Sequence, residues 1–277
     1  MRYSDAVAIA PPGSHRFRIE DLALLSPSTL ALLLEQGPAN PPLPEIAAAL
    51  SSHPELAGLF PDSPARDRLC RLLSNSYSAS EAGAAARRLV RGLFWTFVYE
   101  LEPGLWDRLA ACEQIQPDLV EALPIPPGRV LEVASGSGRL TLTLAQRARR
   151  LVAVEPSRAL GRLLQRRLQH RRAAIVVAAH GHRLPVRGGW ADLVVSSATF
   201  GPHPPLGGEP VLAELERCAA PGGMVALVGP EDPAWFEARG YHRRRFPPAP
   251  PPAYPPDLEA FFGPPSPPPS ELLLKIV

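Results

Sequence analysis

The hydrophobic rhythm of the chain changes about halfway along. From residue 20 to residue 123 apolar positions recur every three or four residues, the spacing of helices that bury one face. Residues 20–36 carry acids at their start and are expected to stop at Gly37-Pro38, with Pro27 splitting them into two short helices. Ser63-Pro64 supplies an N-cap and a first-turn proline, and Ser80 opens a longer helix on which Leu89, Leu93, Phe97 and Leu101 share a face. Helical stretches at 105–115 and 117–123 lead to the proline–glycine cluster at 124–128. Beyond it short apolar runs alternate with helix-period stretches. Strands are expected at 129–133, 151–155, 174–178, 192–196 and 224–229, with further ones near 241–246 and at 271–277. The intervening helices carry stripes of Leu140, Leu144 and Ala148, of Leu160, Leu163, Leu164 and Leu168, and of Leu212, Leu215 and Ala219, and a short helix is expected at 235–239. This is the pattern of an α/β fold, a mostly parallel sheet with helices on both faces. The chain therefore divides into an all-helical region, 1–123, and an α/β domain, 124–277, interrupted by a stiff proline-rich insertion at 247–269.

The stretch from Val130 to Ser157 carries the chemistry. A β-branched strand ends in Ala-Ser-Gly-Ser-Gly, a helix follows, and a second strand ends on Glu155. Such a strand–turn–helix–strand unit holds adenosine-containing cofactors. A dinucleotide requires Gly-x-Gly-x-x-Gly/Ala, and here Thr141 follows Gly136 and Gly138 at the third position. Glu132, inside the strand before the turn, suits a ligand with an ammonium or sulfonium better than one with a pyrophosphate. Glu155 stands where a carboxylate accepts hydrogen bonds from ribose hydroxyls. Together they point to S-adenosylmethionine.

From residue 129 to about residue 246, and again in the final strand, the chain resembles the class I S-adenosylmethionine-dependent methyltransferases. Glu132, Gly136 and Gly138 match that family's acid-x-Gly-x-Gly-x-Gly motif, and Glu155 its ribose acid. Residues 182–197 look like its run through an Asp into the fourth strand, and residues 212–229 like its helix, Pro-Gly-Gly turn and fifth strand. No single piece is specific; four in the right order are. The resemblance implies a Rossmann-like sheet of seven strands, the last antiparallel. It also implies a cofactor site formed by Glu132, Ala134, Ser135, Gly136, Ser137, Gly138, Glu155, Pro156, His180, Gly181 and Ser196. Two positions depart from the family: Ala134 replaces the first glycine, and His180 stands where an Asp often meets the adenine amino group.

Ligands in such sheets bind beyond the carboxyl ends of the strands, so the loop at 196–203 should face the transferred methyl. His203 is the candidate general base, its ordinary pKa lying near neutrality, with His180 and His182 as alternatives. Asp192 reads as a structural support of the glycine-rich turn. Tyr99 and Trp106 in the helical region, and Tyr254, Phe261 and Phe262 in the proline-rich insertion, are candidates to cover the cofactor or an acceptor.

Composition narrows the partners. Net charge is +2, and Lys275 is the sole lysine beside many arginines, a bias of coding that weakens arginine clusters as evidence of phosphate binding. Arg158, Arg162 and Arg166 lie opposite a leucine stripe and read as a solvated face. The three cysteines are scattered, which suggests neither a disulfide framework nor a metal site and makes the cytoplasm the default location. No apolar run has the length of a membrane span, and the N-terminus does not read as a signal peptide. The expected activity is methyl transfer to oxygen or nitrogen of a small molecule, with a homodimer through the N-terminal helices as a possible assembly. The alternatives are an RNA methyltransferase using an arginine-rich face and a non-catalytic scaffold of the same fold.

Overall fold

The computed structural model describes residues 11–35, 40–203 and 206–277. The helix stop expected at Gly37-Pro38 lies outside these residues. Two compact units are present: Met1–Glu102 with Pro255–Pro264, and Pro103–Tyr254 with Pro265–Val277.

The first unit is helical. Its elements are α1 (Pro27–Leu33), α2 (Leu43–Leu50), α3 (Pro64–Leu73), α4 (Ala79–Gly92) and α5 (Phe94–Leu101), with 3-10 turns before and between them. The caps are legible in the sequence. Ser26 and Ser63 each accept the N–H three residues on, at 3.2 Å, with Pro27 and Pro64 following them. The long helix starts one residue before the expected Ser80. Ser78 caps Glu81 N while Glu81 returns its carboxylate to Ser78 N at 2.8 Å, and this reciprocal box fixes the start at Ala79. The helix is also broken at Leu93, so the expected single element is two, although Leu89, Leu93 and Phe97 are all buried as the stripe required. Phe17, Phe94 and Phe97 form the aromatic centre of this unit.

The second unit begins with α6 (Pro103–Cys112) and α7 (Pro117–Glu121). It continues through β1 (Arg129–Val133), α8 (Thr141–Arg147), β2 (Arg150–Val154), α9 (Arg158–Arg167), β3 (Ala174–Val177) and β4 (Ala191–Ser197). After these come α10 (Gly208–Cys218), β5 (Ala219–Val228), α11 (Pro233–Glu237) and β6 (His242–Arg245). The proline-rich insertion is not uniformly irregular: it contains α12 (Pro256–Phe262), which belongs to the first unit, where Phe261 and Phe262 pack on Phe94. The chain then closes with β7 (Glu271–Ile276).

The seven-stranded sheet has the order β3-β2-β1-β4-β5-β7-β6. The pairs from β3 to β5 are parallel, and β7 lies antiparallel between β5 and β6. Both faces are covered, as the near-continuous valines and leucines of a parallel sheet demand. Leu131, Val133, Val194, Val225 and Leu227 pack with Leu212, Leu215 and Phe236 on one side. Val130, Leu193, Val195, Ala226 and Val228 pack with Leu119, Leu123, Leu140 and Leu144 on the other. The Pro-Gly-Gly turn is a bulge within β5: Ala219 pairs Ala191, pairing resumes at Met224 with Leu193, and Gly222 takes φ 77°.

One expected support is at the wrong end of the sheet to do its job. Asp192 accepts Arg129 N at 2.7 Å and pairs with the Arg129 guanidinium at 2.8 Å, which holds its carboxyl below the usual carboxylate range. These contacts fasten the start of β4 to the start of β1, whereas the glycine-rich turn follows the end of β1.

Candidate functional site

Strand order reverses between β1 and β4, so the two loops leaving their carboxyl ends part and leave a crevice. The turn after β1 is shaped by left-handed backbone at Ala134 (φ 61°), Gly136 (φ 57°) and Gly138 (φ 109°). Gly138 has a second constraint, because a Cβ there would sit 2.7 Å from Leu164 Cδ1 of α9. Ala134 occupies a conformation that suits glycine, at a cost of about 1 kcal/mol. Ala134→Gly is accordingly expected to raise unfolding free energy by about 1 kcal/mol in urea titrations; a loss of stability would show that the methyl group packs more favourably than the backbone strain costs.

Glu155 organises the turn. One carboxylate oxygen accepts Gly136 N at 2.8 Å and the other accepts Ser157 N at 2.8 Å. Ser157 in turn caps α9 through Leu160 N at 3.2 Å, with Pro156 half-buried between them. Ser135 donates to the Val154 carbonyl by both its N–H and its hydroxyl. The expected binding residues 134–138 and 155–156 are thus one connected structure at the ends of β1 and β2.

Glu132 lies beneath it, 3 % exposed, on the same face of the sheet as Val130 and Val195. Burial pushes its carboxyl up to about 8; Thr141, Ser135 and the Arg139 charge pull it down, and Glu155 adds to the rise. Among the described residues, Glu132 Oε2 and the hydroxyls of Ser137, Thr141 and Ser196 are buried and make no hydrogen bond of ordinary geometry. Buried polar atoms are normally satisfied, so a group of such atoms around a turn makes this a candidate place for a polar ligand.

The loop after β3 carries His180 and Gly181. The His180 ring stacks on His182 at 5.8 Å, and a Cβ on Gly181 would press to 3.2 Å on Val211 and 3.3 Å on Phe200. His203 lies in the loop after β4 with its side chain exposed. Tyr99 stacks on Trp95 within the first unit. Trp106, on α6, comes to the glycine-rich turn: a Cβ at Gly136 would lie 3.6 Å from its indole nitrogen. Arg158, Arg162 and Arg166 are exposed, as a solvated face requires.

Arg167, Arg139 and Glu113 are invisible to pattern reading. Arg167 donates to the Ser137 carbonyl at 2.8 Å and pairs with Asp107 at 2.6 Å, tying α6 to the turn. Arg139, directly after the turn, donates to the Glu113 carbonyl at 2.8 Å and lies 3.7 Å from the Glu113 carboxylate. Desolvation draws its pKa down. The Tyr254 hydroxyl donates to the Glu113 carboxylate. Only the position of Arg139 next to the motif could have singled it out, and the coding bias toward arginine hides that signal.

Residues 130–223 match the family model described as "Methyltransferase domain". Malonyl-[acyl-carrier protein] O-methyltransferase of Geobacter sulfurreducens is 31% identical over 127 residues, which are 45% of this chain and 47% of that protein. The chain therefore spans about half the length of this curated relative. Among solved structures, an S-adenosylmethionine-dependent methyltransferase from Aquifex aeolicus aligns with TM-score 0.45 and 17% identity over 52% of this chain and 89% of its own. The YcgJ protein of Bacillus subtilis aligns with TM-score 0.42 and 14% identity over 56% and 94%.

Proposed function

We propose, from the match of residues 130–223 to the family model described as "Methyltransferase domain", that this chain transfers a methyl group from S-adenosylmethionine to oxygen or nitrogen of a small molecule. The observation that carries the proposal is the buried Glu132 side chain, one oxygen of which makes no hydrogen bond of ordinary geometry, beside a left-handed glycine turn. A cation is the partner such a carboxylate lacks, and the cofactor's amino-acid end carries one. The cofactor supplies a methyl group already activated by positive sulfur. Glu132 would meet the ammonium, and the main chain of residues 134–138 would allow close approach. Glu155, at the end of the second strand where it braces the turn, would take the ribose hydroxyls, with Pro156 beside it. His180 and Gly181 would border the adenine, and Ser196 the opening between β1 and β4.

The work left to the protein is alignment, exclusion of water and removal of the acceptor's proton. Calorimetry with S-adenosylhomocysteine should show one site per chain; absence of binding to both it and S-adenosylmethionine would sink the reading. His203, as candidate base, is tested on the same preparation. Loss of turnover in His203→Ala with cofactor binding retained supports the role, and unchanged turnover assigns the proton to another group.

Among the described residues no helix is long and apolar enough to cross a membrane. A cytoplasmic location is consistent with free Cys70, Cys112 and Cys218. Association through the N-terminal helices is tested by sedimentation of the full chain against one lacking residues 1–102.

A further inference from the structure

A cavity of about 580 Å3 opens at the carboxyl ends of β4 and β5 in the second unit. Ala198 follows β4, and Gly229 and Pro230 follow β5, so these loops place the cavity beside the turn from which Arg139 emerges. The opposite wall comes from the two arms of the proline-rich insertion that remain in this unit, with Pro250 and Pro252 from one and residues 266–270 from the other. The second arm is pinned by Gln116, whose side chain donates to the Pro269 carbonyl at 2.9 Å.

Two properties of this lining select a ligand. Proline has no N–H, so Pro250, Pro252, Pro267, Pro268 and Pro269 offer flat apolar rings without backbone donors, and the polar groups of this wall are confined to Ser266 and Ser270 at the ends of the second arm. The charged groups in the lining are Glu113, Arg139 and Glu271, and each is already compensated. Glu113 accepts from Tyr254 and faces Arg139, and Glu271 is paired with Arg243. A ligand with a net charge would enter without a counter-ion or break one of these pairs, and either is costly in a partly dry site. A neutral ring packs on the prolines at no such cost. Glu113 brings a carboxylate into the lining, and Tyr254, outside it, donates to that carboxylate.

Resting on the methyl-transfer reading above, we propose that this cavity takes the methyl acceptor, that the acceptor is a neutral ring-bearing hydroxy compound, and that Glu113 receives its proton. The acceptor's O–H bond breaks with the electron pair left on oxygen, where it serves as nucleophile, and the proton forms a new O–H bond on the Glu113 carboxylate. Tyr254 keeps its own proton throughout, since burial and the neighbouring carboxylate both push its phenol upward, and it holds Glu113 in place as a donor. Tyr254 is a positioning residue; Glu113 touches the acceptor.

The probe is 2-naphthol, with 2-naphthoate as its charged counterpart. Binding to the full chain in the presence of S-adenosylhomocysteine is followed by naphthol fluorescence. Naphthol is expected to bind at least tenfold more tightly than naphthoate. Glu113→Gln should weaken naphthol at least tenfold while leaving S-adenosylhomocysteine affinity unchanged. Equal binding of the two probes, or unchanged naphthol affinity in the variant, overturns the proposal. Should Glu113→Gln fail to fold, Tyr254→Phe removes the same hydrogen bond from the other side and is expected to weaken naphthol at least threefold; no change there overturns it equally. The two readings fail separately. Cofactor binding without naphthol binding removes the acceptor site alone, and naphthol binding without cofactor binding removes the methyl-donor reading.

Discussion

Replacing Glu132 by glutamine is expected to make the ligand-free protein more stable at pH 8 and nearly unable to bind S-adenosylmethionine. The carboxyl has a value near 4.5 when solvated and about 8 in the folded chain, because burial disfavours its charge. Between those values the folded state binds the proton and the unfolded state does not. Unfolding free energy therefore falls as pH rises through this window, by up to about 1.4 kcal/mol per unit, and the contribution is fully present only below about pH 4.5. Glutamine cannot ionise and removes that slope, a gain on the order of 4 kcal/mol at pH 8. It also removes the charge a cationic ligand would pair with, for an expected loss of about 3 kcal/mol, roughly a hundredfold in Kd. In the wild type, a cation binding beside Glu132 should expel its proton at neutral pH. Affinity should then rise with pH up to about 8, and the binding heat at pH 7 should change with the ionisation enthalpy of the buffer. A pH-independent affinity together with a buffer-independent heat would mean that Glu132 does not meet the ligand's charge.

Glu155→Ala is expected to lose both stability and ligand affinity. The carboxylate is buried and accepts two backbone N–H groups, one from Gly136 and one from Ser157. Alanine leaves both donors without their acceptor, which is worth about 2–4 kcal/mol of unfolding free energy. Cofactor affinity should fall by a further 1–3 kcal/mol, roughly 5- to 150-fold, through lost bonds to the ribose. Urea unfolding and calorimetry separate the two. Wild-type stability would show that the turn holds its shape without Glu155, and wild-type affinity would show that the ribose lies elsewhere. The sequence suggests this residue only as a ribose acceptor; the fold also makes it the brace of the glycine-rich turn.

Particular residues show why some of the site was legible and some was not. The strand, the glycine turn and Glu155 lie within 30 residues of one another, and their spacing follows from the length of one strand–helix–strand unit. Left-handed backbone at residues 134, 136 and 138 is forced by that local path, so small residues there announce it. Asp192 announces nothing of the kind. Its side chain could support either end of the sheet, and only the register of β4 against β1 sends it to Arg129. Glu113 and Tyr254 are 141 residues apart and join no motif.

By itself the sequence determined the alternation of strands and helices and the position of the glycine-rich turn, because each follows from periodicity or from backbone sterics acting over a few residues; the antiparallel sense of the closing strand was implied only by the resemblance to a known family. Tertiary structure alone decided the rest. It split the proline-rich insertion between two units, tied α6 to the turn through Arg167 and Asp107, and brought Glu113 and Arg139 to one cavity with Tyr254 bonded to Glu113. Those outcomes depend on side-chain pairing between segments distant in the chain, where spacing carries no information and only packing and charge compensation choose the partner.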